Sequence, residues 1–400
     1  MSRRVAFVPV AAFVAIAAAL SLGVPAPATA MPVARTATQA TGATLHVAAR
    51  VPVIGPRVEL SALRPAARAG VAPPRRTASG SNPWTLLATI SGAVIHDVSF
   101  PTAKVGYAAA ELGQVWKTTD GGTTWNEVEN VGFPYYWFGI HALDADNVAV
   151  SGFNDSTSEG VLRWSHDGGK TWSSDVVLTT TGWSYRNRFV RKDDGLVVDG
   201  LATQSANAAH YTTDGGAGAS DWSAVVPDPS GGWFGNEFSL LPNRHARVAG
   251  ITYCDSKNLG ADWTCGPSVD SVFDGAVFFA DDNNGWDGGG EISPSVAGWV
   301  HRTTDGGKTW SARTLNSSFP IRDLLFVTAS NGWAAGGNIY SNAGGIYFSS
   351  DGGQTWSLDV DTNGHEMSSC DSRPAGRGHY RVWCVGYDAS LNGAVYGLRY

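Results

Sequence analysis

The chain has 400 residues, 43% hydrophobic and 16% charged, with 49 glycines, 16 tryptophans and a formal net charge of −7. That charge is unevenly placed: the first 80 residues hold nine of the 28 basic residues and one of the 35 acidic ones, so the remainder carries 19 basic against 34 acidic side chains, a net of −15. A body that acidic is a poor partner for nucleic acid or anionic lipid.

Residues 1–30 read as a secretory signal: Arg3 and Arg4, an apolar run from Val5 to Val24, then Ala28-Thr29-Ala30 as a cleavage site. No second apolar stretch of that length follows, so no stable membrane insertion is expected once the signal is removed, and the protein is expected to be secreted or extracytoplasmic. Residues 31–80 have no aromatic residue, seven Arg and one acid, Glu59. Such a segment cannot build a core, and it is expected to be a disordered linker or pro-segment.

From about 81 to 400 the chain repeats itself. The phrase Ser/Thr-x-Asp-Gly-Gly-x-Thr-Trp occurs at Thr118–Trp125, Ser165–Trp172, Thr303–Trp310 and Ser349–Trp356. A fifth copy, Ser256–Trp263, has Asn258 in place of the Asp, and a sixth, Thr212–Trp222, carries an insertion of three residues after Asp214. The closing tryptophans Trp125, Trp172, Trp222, Trp263, Trp310 and Trp356 are 47, 50, 41, 47 and 46 residues apart. A period of that size marks a supersecondary unit that buries its apolar face only by stacking on copies of itself. Asp-Gly-Gly is turn chemistry, because the carboxylate accepts backbone N–H bonds and glycine adopts positive φ. Each box is therefore the tip of a β-hairpin, and Asp120, Asp167, Asp214, Asp305 and Asp351, with the box tryptophans, are structural.

Six boxes give six complete units over about 91–361. Residues 365–400 supply three more strands and stop before a box, while the stretch around Trp84 looks like each strand that follows a box. Strand 82–90 is thus expected to complete a seventh unit and close the circle, leaving no open sheet edge. The expected fold is an all-β, seven-bladed β-propeller.

These boxes resemble the Asp-box, or BNR, repeat of sialidases, xyloglucanases, sortilin-type receptors and the photosystem II stability/assembly factor family. Over a whole unit, Asp97–Trp125 (DVSFPTAKVGYAAAELGQVWKTTDGGTTW) and Asp323–Trp356, with NGWAAGG in its second strand, resemble the assembly-factor repeat. That resemblance implies a rigid platform for another protein. The family is associated with a basic patch, whereas this ring is acidic. Sialidases use three arginines, the first in an Arg-Ile-Pro motif; here no Arg lies between Arg76 and Arg163, and residues 319–323 read FPIRD. Xyloglucanases work between two propellers, and this chain has room for one.

A ligand is expected where the inner strands begin, on the face opposite the boxes. Ionisable residues recur in that slot in all seven units: His96, Asp97, His141, Arg186, Glu237, Asp274, Arg322, Asp323, His365 and Glu366. Two of Asp97, Asp274, Asp323 and Glu366 would serve a glycosidase or lyase as acid and base, with His96, His141 or His365 moving a proton. Three successive inner strands are also preceded by Trp137, Trp183 and Trp233, with Tyr136 beside the first. Flat rings of this kind either carry a sugar or fill the gap between blades. Together with Arg186 and Arg322 these aromatics form the candidate binding set. The function expected is recognition of an extracellular glycan or protein by a monomer. The alternative is a glycoside hydrolase or polysaccharide lyase, and the third reading is an assembly scaffold.

Four cysteines allow three disulfide connectivities. Cys254 and Cys265 face each other across one predicted hairpin, as do Cys370 and Cys384 across another, which favours those two pairs. No cofactor is expected, nor a metal: the cysteines have no zinc-site spacing, and FADDNNGWDGGGE (279–291) lacks that of a calcium hand.

Overall fold

The computed structural model describes residues 83–400 except 181, 201–207, 228–236, 251, 268, 270–273 and 292–295. The signal and linker segments and Trp233 lie outside the described residues. Seven antiparallel four-stranded sheets make seven blades. Their inner strands are Ile95–Ser99, Tyr135–Ala142, Trp183–Arg191, Glu237–Leu240, Asp274–Phe279, Ile321–Phe326 and Glu366–Gly376, which number blades 1 to 7. In blade 7 the outer strand is Thr85–Ile90, from the start of the ring, paired antiparallel with Gly393–Arg399 from its end. Trp84 anchors that closure, with its indole edge against Trp333 and its Nε1 donating to Asp359 Oδ2 of blade 6 at 2.8 Å.

The box turn builds itself from three side chains. In blade 1 the Thr118 hydroxyl accepts the Gly122 N–H at 2.9 Å and donates to Asp120 Oδ1 at 2.9 Å. Asp120 then accepts the N–H groups of Thr123 and Thr124, and its other oxygen takes the Thr124 hydroxyl at 2.7 Å. Both glycines sit at positive φ, +80° for Gly121 and +94° for Gly122, where a side chain is strained. The degenerate box keeps this logic by exchanging roles. Asn258 Oδ1 takes the Asp262 N–H at 3.1 Å, while its amide donates to Asp262 Oδ1 at 2.7 Å, so an Asn–Asp pair replaces Asp–Thr. In the sixth box, the insertion forms a single 3₁₀ turn, Ala219–Asp221, ahead of Trp222.

Blades are glued by aromatic stacking and by bonds into the neighbouring box. Phe100 of blade 1 stacks on Trp383 of blade 7 with centroids 3.7 Å apart, and Trp383 Nε1 donates to Gly121 O at 2.9 Å. Trp286 of blade 5 does the same with Phe326 at 3.5 Å and Gly352 O at 2.9 Å in blade 6. The two disulfides join Cys254 to Cys265 and Cys370 to Cys384, each between cross-strand partners.

The register fixes two faces. The first residue of an inner strand pairs with the last of the second strand, as Ile95 does with Ala110, and that residue pairs with the first of the third, Gln114. Inner-strand starts and second-to-third turns therefore share one face, termed the mouth face. Boxes bond to the inner-to-second turns of their own blades on the other, as Gly121 N–H does to Lys104 O at 2.8 Å and Gly352 N–H to Ser330 O at 2.8 Å.

Candidate functional site

Successive side chains of a strand point to opposite faces, so alternate residues of each inner strand enter the channel. The middle of the channel is crossed by Arg186, only 4% exposed. One of its terminal nitrogens donates to His96 O of blade 1 at 3.0 Å and Phe138 O of blade 2 at 2.8 Å, and the other reaches Ser368 O of blade 7 at 3.4 Å. It also pairs with Asp97 at 3.1 Å and with Glu237 of blade 4 at 2.8 Å. One guanidinium thus ties five blades together, counting its own.

Asp97, fully buried, accepts from both sides. Its Oδ1 takes the Val98 N–H at 2.9 Å and the Ser369 hydroxyl at 2.8 Å; its Oδ2 takes the Ile140 N–H of blade 2 at 2.9 Å and Arg188 at 2.9 Å. Burial pulls this carboxyl upward, but the charges of Arg186 and Arg188 outweigh it and hold the group well below the usual carboxylate range. Asp323 has the same geometry, with Oδ1 on the Leu324 N–H at 2.7 Å and Oδ2 on the Cys370 N–H of blade 7 at 2.6 Å. Here burial, with Glu237 adding repulsion, outweighs the backbone hydrogen bonds and the charge of Arg186 and pushes its pKa up to about 7. Asp371 repeats the device from blade 7 to the Phe100 N–H of blade 1 at 2.6 Å. Ser99 and Ser239 do it with a hydroxyl, to the Ala142 and Phe279 N–H groups. Polar side chains of the inner strands are thus staples between blades.

The remaining predicted residues divide. Glu366 Oε1 pairs with Arg322 at 3.0 Å, and its Oε2 accepts the Ile339 N–H at 3.3 Å. His96 lies 3.3 Å from Glu111 at the mouth, flanked by the rings of Phe138 and Tyr387. His141 Nδ1 accepts the Phe189 N–H of blade 3 at 3.3 Å, and burial, helped by Arg188 and Arg373, lowers its pKa to about 3. This ring is a neutral inter-blade acceptor. His365 alternates away from the channel, with Nδ1 against Thr362 O at 2.6 Å and the ring edge toward Tyr396. Asp274 opens the inner strand of blade 5, and its side chain lies outside the described set.

Trp137 is 0% exposed, packed with Tyr107, Ile140 and Val161 between blades 1 and 2, and so has no face to offer a ligand. Trp183 is half-buried and packs at 5.7 Å and 5.8 Å on Phe138 and Phe153. Tyr185 stacks on Phe138 at 5.2 Å. Among the described inner-strand residues, the accessible aromatic surface includes Trp183 and Tyr185, with Phe153 and Tyr136 beside them. Arg188, Tyr185, Tyr387 and Glu111 were not in the candidate set from sequence, and Glu237 stood in the ionisable slot without an assigned role. The signal that finds Arg188 is its spacing of two from Arg186, which puts both in one channel. Among the described residues, no cluster of three or more His, Cys, Asp or Glu is placed to hold a metal ion, and no helix is long and apolar enough to cross a membrane.

Seven blades, five of them with hydroxyl–carboxylate box turns and a sixth with Asn258 in the carboxylate's place, closed by the first strand of the ring, define an Asp-box β-propeller. The BNR/Asp-box repeat matches residues 301–312 and 347–358. Among solved structures, YCF48 bound to D1 peptide is similar at 18% identity and a TM-score of 0.60, over 80% of this chain and 98% of that one. YCF48 from Cyanidioschyzon merolae is similar at 19% identity and 0.60, over 79% and 98%. An ancestral GH74 enzyme is similar at 14% identity and 0.55, over 79% of this chain and 48% of the enzyme. No curated protein matches the sequence significantly.

Proposed function

We propose that this chain is a recognition propeller that holds a peptide segment of an extracytoplasmic protein partner on its mouth face. The observation that carries this reading is the state of the channel carboxylates. Both oxygens of Asp97, Asp323 and Glu366 already accept backbone N–H groups or face arginines. A general acid or base needs an oxygen within reach of substrate, about 2.6–3.2 Å from the proton it moves. What the mouth offers instead is aromatic surface on a rigid scaffold. The fully buried Trp137 weighs against a row of sugar platforms and toward a peptide. A propeller of similar fold described with a bound D1 peptide is a precedent for the mode of binding, with the partner left open by 18% identity. Two disulfides fit an oxidising compartment, reached through the N-terminal signal.

The test is retention of the purified full chain on a peptide array and on a polysaccharide panel, with new reducing ends read in parallel. Retention on peptides with no new ends is expected. One observation favours a second reading: Asp97 and Asp323 have pKa values pushed apart in opposite directions, as in a paired acid and base. Reducing ends that vanish in Asp323→Asn would replace the proposal with glycan cleavage.

A further inference from the structure

The two faces of the ring differ in charge and in apolar exposure. The described turns of the mouth face, 91–94, 111–113, 131–134, 155–158, 339–342, 362–365 and 388–392, contain no Lys or Arg. The strand ends beside them contribute one, Arg322, which is paired with Glu366. On the box face the turns carry Lys104, Lys170, Lys192, Arg244, Lys257 and Lys308. Carboxylates occupy both faces, so the mouth face is left acidic.

Apolar exposure follows the same division. The exposed large apolar residues include Leu112, Val131, Phe133, Tyr340 and Leu391, all in mouth-face turns, with Phe133 58% and Tyr340 64% exposed. They run along an arc from blade 6 through 7 and 1 to blade 2, and the acids are interleaved with them. Asp361 and Asp155 are exposed at the two ends of the arc; Asp388 and Glu111 are half-buried between them. The arc is continuous where blades 7 and 1 meet, because Asn392 Oδ1 accepts the Gly92 N–H at 3.2 Å. At its blade 2 end, burial and then the Asp155 and Glu111 carboxylates raise the pKa of the Tyr136 hydroxyl. An apolar row alone would suit any greasy partner, but desolvating carboxylates that face no Lys or Arg, such as the exposed Asp155 and Asp361, penalises a neutral or acidic one.

We infer that the mouth-face arc over blades 6, 7, 1 and 2 docks a cationic peptide in which Arg or Lys alternates with apolar residues. This rests on the peptide-recognition reading and names its ligand class. In an extended peptide residues two apart face the same side, so a segment whose cationic and apolar residues alternate in pairs presents both kinds to the interleaved carboxylates and apolar turns.

The test uses the full chain and three labelled twelve-residue peptides, Arg–Leu, Glu–Leu and Arg–Ser, read by fluorescence anisotropy. Arg–Leu is expected to bind at least tenfold tighter than either of the others in 50 mM salt, and to lose roughly tenfold by 300 mM as screening grows. Asp155→Lys with Asp361→Lys should weaken Arg–Leu about tenfold, whereas Asp193→Lys on the box face should leave it unchanged. Phe133→Ser with Tyr340→Ser should bring Arg–Leu down to the affinity of Arg–Ser. Circular dichroism identical to that of the parent is required of every variant. If Glu–Leu binds as tightly as Arg–Leu and the Phe133 and Tyr340 changes weaken both, the cationic class is refuted while peptide recognition at this face stands. Equal weakening by Asp193→Lys refutes the site. If no peptide binds, both the class and the recognition reading fall.

Discussion

Replacing Asp97 by alanine separates a structural channel from a catalytic one. The substitution removes the acceptor for two backbone N–H groups, Val98 and Ile140, and for the Ser369 hydroxyl. It also leaves Arg186 and Arg188 without the carboxylate 3.1 Å and 2.9 Å away. Breaking a buried pair by removing one partner costs roughly 3–5 kcal/mol, most of it the penalty of the stranded charge. For a domain of this size that is a fall in Tm of roughly 5–7 °C. Asp97→Asn keeps an acceptor but not the charge, and should fall between the parent and Asp97→Ala. Ser99→Ala removes a neutral staple to the Ala142 N–H and should cost about 1 kcal/mol. The assay is thermal and guanidinium unfolding of all three variants. A drop of less than about 2 °C for Asp97→Ala would refute the staple account, and with it the reason for withholding a catalytic role from this residue.

Three further outcomes follow from the fold. Asn258→Asp should cost about 1 kcal/mol by setting a second carboxylate against Asp262, and adding Asp262→Thr should restore the loss; a double-mutant cycle without coupling would contradict the exchange of roles in that box. Gly353→Ala should destabilise by roughly 2–3 kcal/mol, because its φ is +78° and a Cβ would clash with the Trp286 indole; unchanged Tm and tryptophan fluorescence would contradict it. The third concerns pH. Burial raises Glu129 and Asp323 to about 7, so the folded ring holds their protons between the unfolded carboxylate range and pH 7. Their contribution to stability is present at low pH and lost as pH rises through 7. The box acids Asp120, Asp167 and Asp305 have the opposite sign: hydrogen bonds from the box threonines hold them at about 2, and that contribution is lost below pH 4. Glu129→Gln combined with Asp323→Asn should therefore flatten unfolding free energy between pH 5 and 8, and leave the acid limb below pH 4 in place.

The fold was legible because its signal is local and repeated. Thr118, Asp120, Gly122 and Trp125 close one turn within eight residues, and a period near 47 says that such turns stack. Ring closure was legible too, since Trp84 stands where a box strand is missing and a circular sheet leaves no edge to solvent. Hairpin positions likewise paired Cys254 with Cys265 and Cys370 with Cys384.

The chemistry of the channel was decided by tertiary structure alone. Asp97, Asp323 and His141 look like free acids and bases in sequence, and only the approach of the next blade turns them into acceptors for its backbone N–H groups. Trp137 and Trp183 hold the same place in the repeat, yet one is sealed between blades and the other half-open. That difference depends on what the neighbouring blade packs against each, as Tyr107 of blade 1 does against Trp137. The physical reason is common to both cases. A propeller brings together in its channel residues 43 to 272 positions apart, and one blade's sequence fixes its own hairpins but not the side chains that meet it across the ring.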